Sequence, residues 1–116
     1  MKVKEASQRV IIGEGCTIEC EFLTSPPKDS VVVWSKGNDP NILTNLNETK
    51  DWTSKYGGSS LKFPSLNVFR VEESDRGYYS CQIQYPEDSA EYEDTILNWP
   101  ITFLHVSGVS NLCISY

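Results

Sequence analysis

The chain has 116 residues, which is the size of a single domain. Hydrophobic residues make up 39% of the chain and charged residues 22%, a globular composition that can bury a core and is not typical of disorder. The net charge of −6 at pH 7 argues against a nucleic-acid partner, because no basic stripe is available to neutralise phosphates.

Short segments typical of β-strands follow one another along the chain, with turn residues between them. In chain order, strands are predicted at residues 8–12, 16–22, 31–36, 41–46, 55–60, 66–71, 78–84 and 102–106. The second segment alternates most cleanly, because Cys16, Ile18 and Cys20 share one face. Helix is nearly absent apart from a single turn at 72–75. The pattern predicts an all-β protein.

The cysteine content indicates the compartment in which the protein works. Four cysteines in a small β-rich chain indicate an oxidising environment. Asn47 begins a glycosylation sequon, which agrees with secretion. No apolar run is long enough to span a membrane, and the first residues lack the apolar core of a signal peptide. We therefore interpret the chain as an excised extracellular fragment of a membrane-anchored receptor, with a secreted parent as the alternative.

One set of residues is specific to a known fold. Cys20 is followed by Trp34, and the run Asp75-Arg76-Gly77-Tyr78-Tyr79-Ser80-Cys81 places a tyrosine two residues before the second cysteine. With this order and spacing, the chain resembles the V-set immunoglobulin superfamily. The resemblance implies a sandwich of two antiparallel sheets with Greek-key connections. It assigns residues 1–107 to the domain and leaves 108–116 as a C-terminal tail.

The same resemblance implies the central contacts of the fold. Cys20 and Cys81 are expected to form a disulfide between the two sheets, and Trp34 is expected to lie against it. The hydroxyl of Tyr79 is expected to bond to backbone at the strand corner.

A buried carboxylate at this corner needs a cation or backbone donors. Family members commonly place an arginine at the start of the short strand before the corner, and here Lys55 occupies that position. Lys36 is a second candidate partner for Asp75. We interpret this ion pair as structural, since such pairs usually fix a corner.

The two remaining cysteines are surplus to the family disulfide. In the implied topology, the last strand ends near the start of the strand that carries Cys16, so we expect Cys16 and Cys113 to form a disulfide that holds the tail. The alternative is an interchain bond through Cys113, with Cys16 as a buried thiol. A zinc site is disfavoured, because Cys16 and Cys20 on one strand face do not form a tetrahedral knuckle.

The sheet that carries Trp34, Cys81 and Val106 is the usual partner face of V-set receptors. Side-chain alternation predicts which of its residues point outward. The candidate binding residues are Val33, Ser35, Gln82, Gln84, Trp99, Ile101 and Phe103. An exposed apolar patch usually marks an interface, and the alternative is that neighbouring loops cover these residues.

A second candidate contact region follows Cys81, at the third hypervariable position of V-set domains. Its acidic residues are Glu87, Asp88, Glu91, Glu93 and Asp94. They could contact a basic partner or calcium, or form a solvated acidic loop. Their spacing does not fit an EF-hand, so we expect no metal.

Catalysis is not expected. The one histidine, His105, has no motif-placed nucleophile beside it, and Gly57-Gly58 reads as a turn rather than a phosphate loop. We therefore expect no enzyme, no cofactor and no small-molecule substrate.

Binding of a protein partner remains. Antigen receptors carry Phe-Gly-x-Gly before the last strand, whereas this chain has no glycine in Trp99-Pro100-Ile101-Thr102. This departure argues against antibody-like pairing and favours adhesion or innate recognition. Together with the surplus cysteines, the chain is similar to invertebrate allorecognition receptors, which bind themselves across cells. The alternatives are recognition of a different ligand through the loops, and a structural spacer.

Overall fold

The computed structural model describes residues 2–3, 6–23, 25–46, 52–84 and 100–108. Its strands are β1 (Lys2–Val3), β2 (Ser7–Ile11), β3 (Cys16–Ile18), β4 (Cys20–Glu21), β5 (Val31–Asp39), β6 (Ile42–Asn45), β7 (Tyr56–Gly58), β8 (Leu66–Val68), β9 (Gly77–Gln84) and β10 (Ile101–Ser107). A one-turn helix α1 (Trp52–Lys55) precedes β7, and a 3-10 turn (Glu73–Asp75) precedes β9. The all-β expectation is confirmed.

The strands form two layers. One layer is a five-stranded sheet in the order β2-β10-β9-β5-β6, and the other contains the three-stranded sheet β3-β8-β7 with the short β1-β4 pair. The β2–β10 pair is parallel, whereas the other pairs are antiparallel. The predicted segment 16–22 is interrupted at Glu19 into β3 and β4.

The core lies between the layers and follows the alternation of the strands. Along β10, Thr102, Leu104 and Val106 are buried, and the residues between them are only half-buried. Complete burial of one such aliphatic side chain contributes about 1.5–3 kcal/mol, so these alternating positions account for much of the attraction between the layers.

Trp34 and the central disulfide stand side by side in this core. The Sγ atoms of Cys20 and Cys81 are bonded, which links β4 to β9 across the two layers. Trp34 is the register partner of Cys81, so its indole lies on the same face of the sheet, beside the disulfide. The indole is 1% exposed, and its N–H donates to the carbonyl oxygen of Pro64 at 2.8 Å.

The surplus cysteine Cys16 forms no disulfide with another described residue. Its expected partner Cys113 lies outside the described residues, so the Cys16–Cys113 disulfide stays a prediction. Cys16 points inward and packs against the buried cluster, where burial raises the pKa of its thiol and the nearby Asp75 raises it further.

Candidate recognition face

The outer face of the five-stranded sheet points away from the other layer. The strand register places Phe103 of β10 opposite Tyr78 of β9 and opposite Ser7 of β2. On the other side, Tyr78 is opposite Gly37 of β5. A small side chain and a glycine therefore flank the two aromatic residues.

Three rings form an aromatic cluster on this face, which we define as Tyr78, Phe103 and His105. The Phe103 ring meets the Tyr78 ring edge-on, with 4.8 Å between centroids and an interplanar angle of 70°. It meets the His105 ring in the same manner, at 4.6 Å and 66°. All three are half-buried, so their rings remain partly accessible to a partner.

Tyr78 and His105 were not among the predicted contact residues. Alternation places both on the outer face, but alternation along one strand does not tell which rings meet across strands. The pairing of Phe103 with Tyr78 depends on the register between β9 and β10. The sequence pattern does not give this register, which was the signal needed to recognise the aromatic cluster.

The centre of the face differs from the prediction. Val33 is only 2% exposed and Ser35 only 4%, so neither is available to a partner. The Ser35 hydroxyl donates to Oδ1 of Asn45 at 2.9 Å, which closes the surface between β5 and β6. The neighbouring Ser80 hydroxyl donates to the carbonyl oxygen of Pro100 at 2.8 Å. Alternation predicted the direction of these side chains correctly, but direction alone does not ensure exposure.

The other predicted face residues remain accessible to different degrees. Gln82 and Ile101 are half-buried, and Gln84 is exposed. Trp99 lies outside the described residues. Among the described residues, the accessible part of the predicted face therefore consists of Ile101 and Phe103 on β10 and the two glutamines on β9.

The face carries little charge. None of the described outward side chains of β9 and β10 is Asp, Glu, Lys or Arg. Arg9, on the edge strand β2, is the register partner of His105. By contrast, Glu19 and Glu21 are exposed on the other layer. Within a chain of net charge −6, the aromatic cluster thus lies on a nearly neutral surface.

The strand corner below this face is held by charge and backbone bonds. Lys55 Nζ is 2.7 Å from Asp75 Oδ2 and donates to the carbonyl oxygen of Arg70 at 2.9 Å. The Tyr79 hydroxyl donates to the carbonyl oxygen of Asp75 at 2.6 Å. Burial, followed by the nearby Tyr56, raises the pKa of the Tyr79 hydroxyl. These contacts fix the corner.

The second candidate cation at the corner has another partner. Lys36 Nζ donates to the carbonyl oxygen of Ser74 at 2.9 Å and lies 5.8 Å from the centre of the Tyr79 ring. Burial lowers the pKa of Lys36, whereas Asp75 opposes that shift. The structure therefore pairs Asp75 with Lys55, while Lys36 covers the tyrosine.

Several predicted sites lie outside the described residues and stay predictions. They are the acidic residues Glu87, Asp88, Glu91, Glu93 and Asp94, and the sequon residue Asn47. Among the described residues, no group of three or more His, Cys, Asp or Glu side chains is placed to hold a metal ion. In that same part of the chain, no helix is long and apolar enough to cross a membrane.

The two-layered fold, the disulfide with its tryptophan and the tyrosine corner define a V-type immunoglobulin-like domain. The immunoglobulin domain family model matches residues 1–84, and the chain belongs to this family. No curated protein matches the chain in sequence.

Solved structures have the same fold. Domain 1 of VCBP3 from Branchiostoma floridae is similar, with a TM-score of 0.71 and 18% identity over 94% of this chain and 95% of that one. The two tandem V-type regions of VCBP3, a v-region-containing chitin binding protein, give 0.68 and 19% over 94% and 51%. Murine CRIg gives 0.63 and 17% over 91% and 97%. At these identities the likeness shows the fold alone and confirms the V-set expectation.

Proposed function

We propose that this domain is an extracellular recognition module and that its partner is a second copy of the same domain on another cell. The aromatic cluster on a nearly neutral face is the observation that carries the proposal. The family and the disulfide between β4 and β9 support an extracellular location for a membrane-anchored parent chain.

Charge is the main obstacle to self-association of this chain. Two molecules of net charge −6 repel each other, and like charges brought together at an interface cost several kcal/mol. Contact through the outward side chains of β9 and β10 avoids this cost, because none of those described is a carboxylate. The uncharged outward side chains of β9 and β10 therefore suit this face to meet its own copy.

The aromatic cluster supplies the anchoring contact. Aromatic side chains dominate the energetics of protein interfaces, where a few residues usually contribute most of the affinity. Phe103 stands between Tyr78 and His105 with both rings held edge-on, so little side-chain freedom is lost when a partner covers it. Arg9, next to His105, provides a polar rim.

Sedimentation at increasing concentration tests the proposal. We expect the domain to form reversible dimers and the Phe103→Asp variant to weaken them by about 30-fold or more, which is the range of an interface hot spot. The matched control is Phe63→Asp, because Phe63 is 45% exposed on the other layer. Monomers at every concentration, or equal dimerisation of the Phe103→Asp variant and the parent, would contradict homophilic recognition. The first of these results would favour a different ligand or a spacer role.

A further inference from the structure

A groove lies at the end of the sandwich where β10 ends, and apolar side chains share its lining with polar and charged ones. The lining residues are Ile12, Gly13, Ser54, Lys55, Phe69, Arg70, Val71 and Glu72. Ile12 is 39% exposed on one side of the groove and Phe69 is 44% exposed on the other. Val71 lies between them and is buried. A cleft with exposed aliphatic and aromatic walls is suited to an apolar segment.

Backbone hydrogen bonds place the end of β10 beside this groove. The Ile12 N–H donates to the carbonyl oxygen of Ser107 at 2.9 Å, and the Gly13 N–H donates to the carbonyl oxygen of Val71 at 2.8 Å. The last residue of β10 is therefore joined to one wall of the groove by a hydrogen bond. A segment that follows Gly108 starts at the rim.

The sequence that follows β10 suits the apolar walls of the groove. Residues 109–116 contain Val109, Leu112, Ile114 and Tyr116 and no charged residue. Eight extended residues reach at most about 26 Å, which is ample for a groove that begins beside the exit. The position of the end of β10 and the composition of residues 109–116 thus both favour this tail as the occupant of the groove.

We propose that residues 109–116 dock into the groove between Ile12 and Phe69 and cover these side chains. Docking does not depend on a disulfide between Cys16 and Cys113, which stays a prediction because Cys113 lies outside the described residues. This inference is independent of the proposed homophilic function, since the groove and the aromatic cluster are separate surfaces.

A double-mutant cycle in the full chain tests the docking. All variants carry Cys113→Ser to prevent disulfide exchange, and Phe69→Ser is combined with the tail pair Leu112→Ser and Ile114→Ser. If the surfaces touch, the unfolding equilibrium constant of the combined variant should deviate from the product of the separate effects by about five-fold or more. Phe63→Ser is the matched control, because it is 45% exposed at the other end of the β7–β8 hairpin and should show no coupling. The docking would be overturned if the unfolding equilibrium constant of the combined variant matches the product of the separate effects of Phe69→Ser and the tail pair to within a factor of two.

A second measurement does not depend on stability. A nitroxide attached to Cys113 in a Cys16→Ser variant should broaden the NMR signals of Ile12 strongly. Val31, which is 50% exposed at the start of β5, serves as the reference. Equal broadening of both residues, or none at either, would also overturn the proposal.

Discussion

At the scale of single residues, the corner tyrosine couples the fold to pH. Tyr79 is completely buried, and its hydroxyl donates to the carbonyl oxygen of Asp75. An ionised phenolate has no proton to donate in this bond and would stand near the carboxylate of Asp75. Burial is the main cause of the raised pKa of Tyr79, and the nearby Tyr56 and Asp75 add to it, so the corner favours the neutral tyrosine.

We predict that Tyr79 makes the domain less stable at alkaline pH. The unfolded chain ionises a tyrosine near pH 10, whereas the folded chain keeps Tyr79 neutral to a higher pH. This contribution to stability is therefore complete below about pH 10, and above it declines by about 1.4 kcal/mol per pH unit. The Tyr79→Phe variant should lose about 1 kcal/mol at pH 7, because one hydrogen bond is lost. Denaturant unfolding at pH 7 to 11 checks the prediction, which fails if the two stability curves stay parallel above pH 10.

At the scale of elements, the Lys55–Asp75 pair connects α1 to the 3-10 turn. Lys55 ends the helix, and its Nζ also reaches the carbonyl oxygen of Arg70, just after β8. The Asp75 side chain is only 6% exposed, and its Oδ2 accepts the N–H of Glu72 at 2.7 Å. Three short elements are thus joined at one buried carboxylate.

We predict that Lys55→Met is much more damaging than Lys36→Met. Removal of Lys55 leaves the Asp75 carboxylate buried without its cation, which costs about 3 kcal/mol. Among the described residues, Lys36 Nζ bonds to a carbonyl oxygen and lies over an aromatic ring, so Lys36→Met should cost about 1 kcal/mol. Denaturant unfolding at pH 7 compares the two variants. Similar losses for both would show that Lys36 shares the pairing of Asp75.

The positions of most strands along the chain could be predicted from the sequence, because alternation and turn residues are local signals. Helix α1 was not predicted, since four residues do not form a helix alone. Its position depends on packing, in which Trp52 stacks on Tyr56 with 5.5 Å between ring centroids.

Only part of the candidate recognition face could be predicted, because alternation describes one strand at a time. Alternation assigned Phe103 to the outer face, but it could not show that Ser35 bonds to Asn45 or that Val33 is buried. The pairing of Cys16 with Cys113 stays a prediction, because Cys113 lies outside the described residues. Whether two cysteines meet depends on distances between remote segments, which alternation within a strand does not contain.

At the scale of the whole molecule, the two layers are linked covalently between β4 and β9. A domain of this size has a net stability of only about 5–15 kcal/mol, so a single cross-link can account for a large share of it. The sequence separation of 61 residues makes this link effective, because closing a long loop removes much of the freedom of the unfolded chain.

We predict that the paired substitution Cys20→Ala with Cys81→Ala lowers the stability by about 4 kcal/mol, as the loop-entropy model gives for a loop of this length. For 116 residues, this corresponds to a fall in Tm of roughly 16 °C. Cys16→Ala is the matched control, because it removes a half-buried thiol and leaves the cross-link, and it should cost about 1 kcal/mol. Calorimetry of the three proteins under non-reducing conditions measures the difference. A loss for Cys16→Ala as large as that of the pair would mean that the stabilisation comes from packing of thiols in the core and not from the covalent link between the layers.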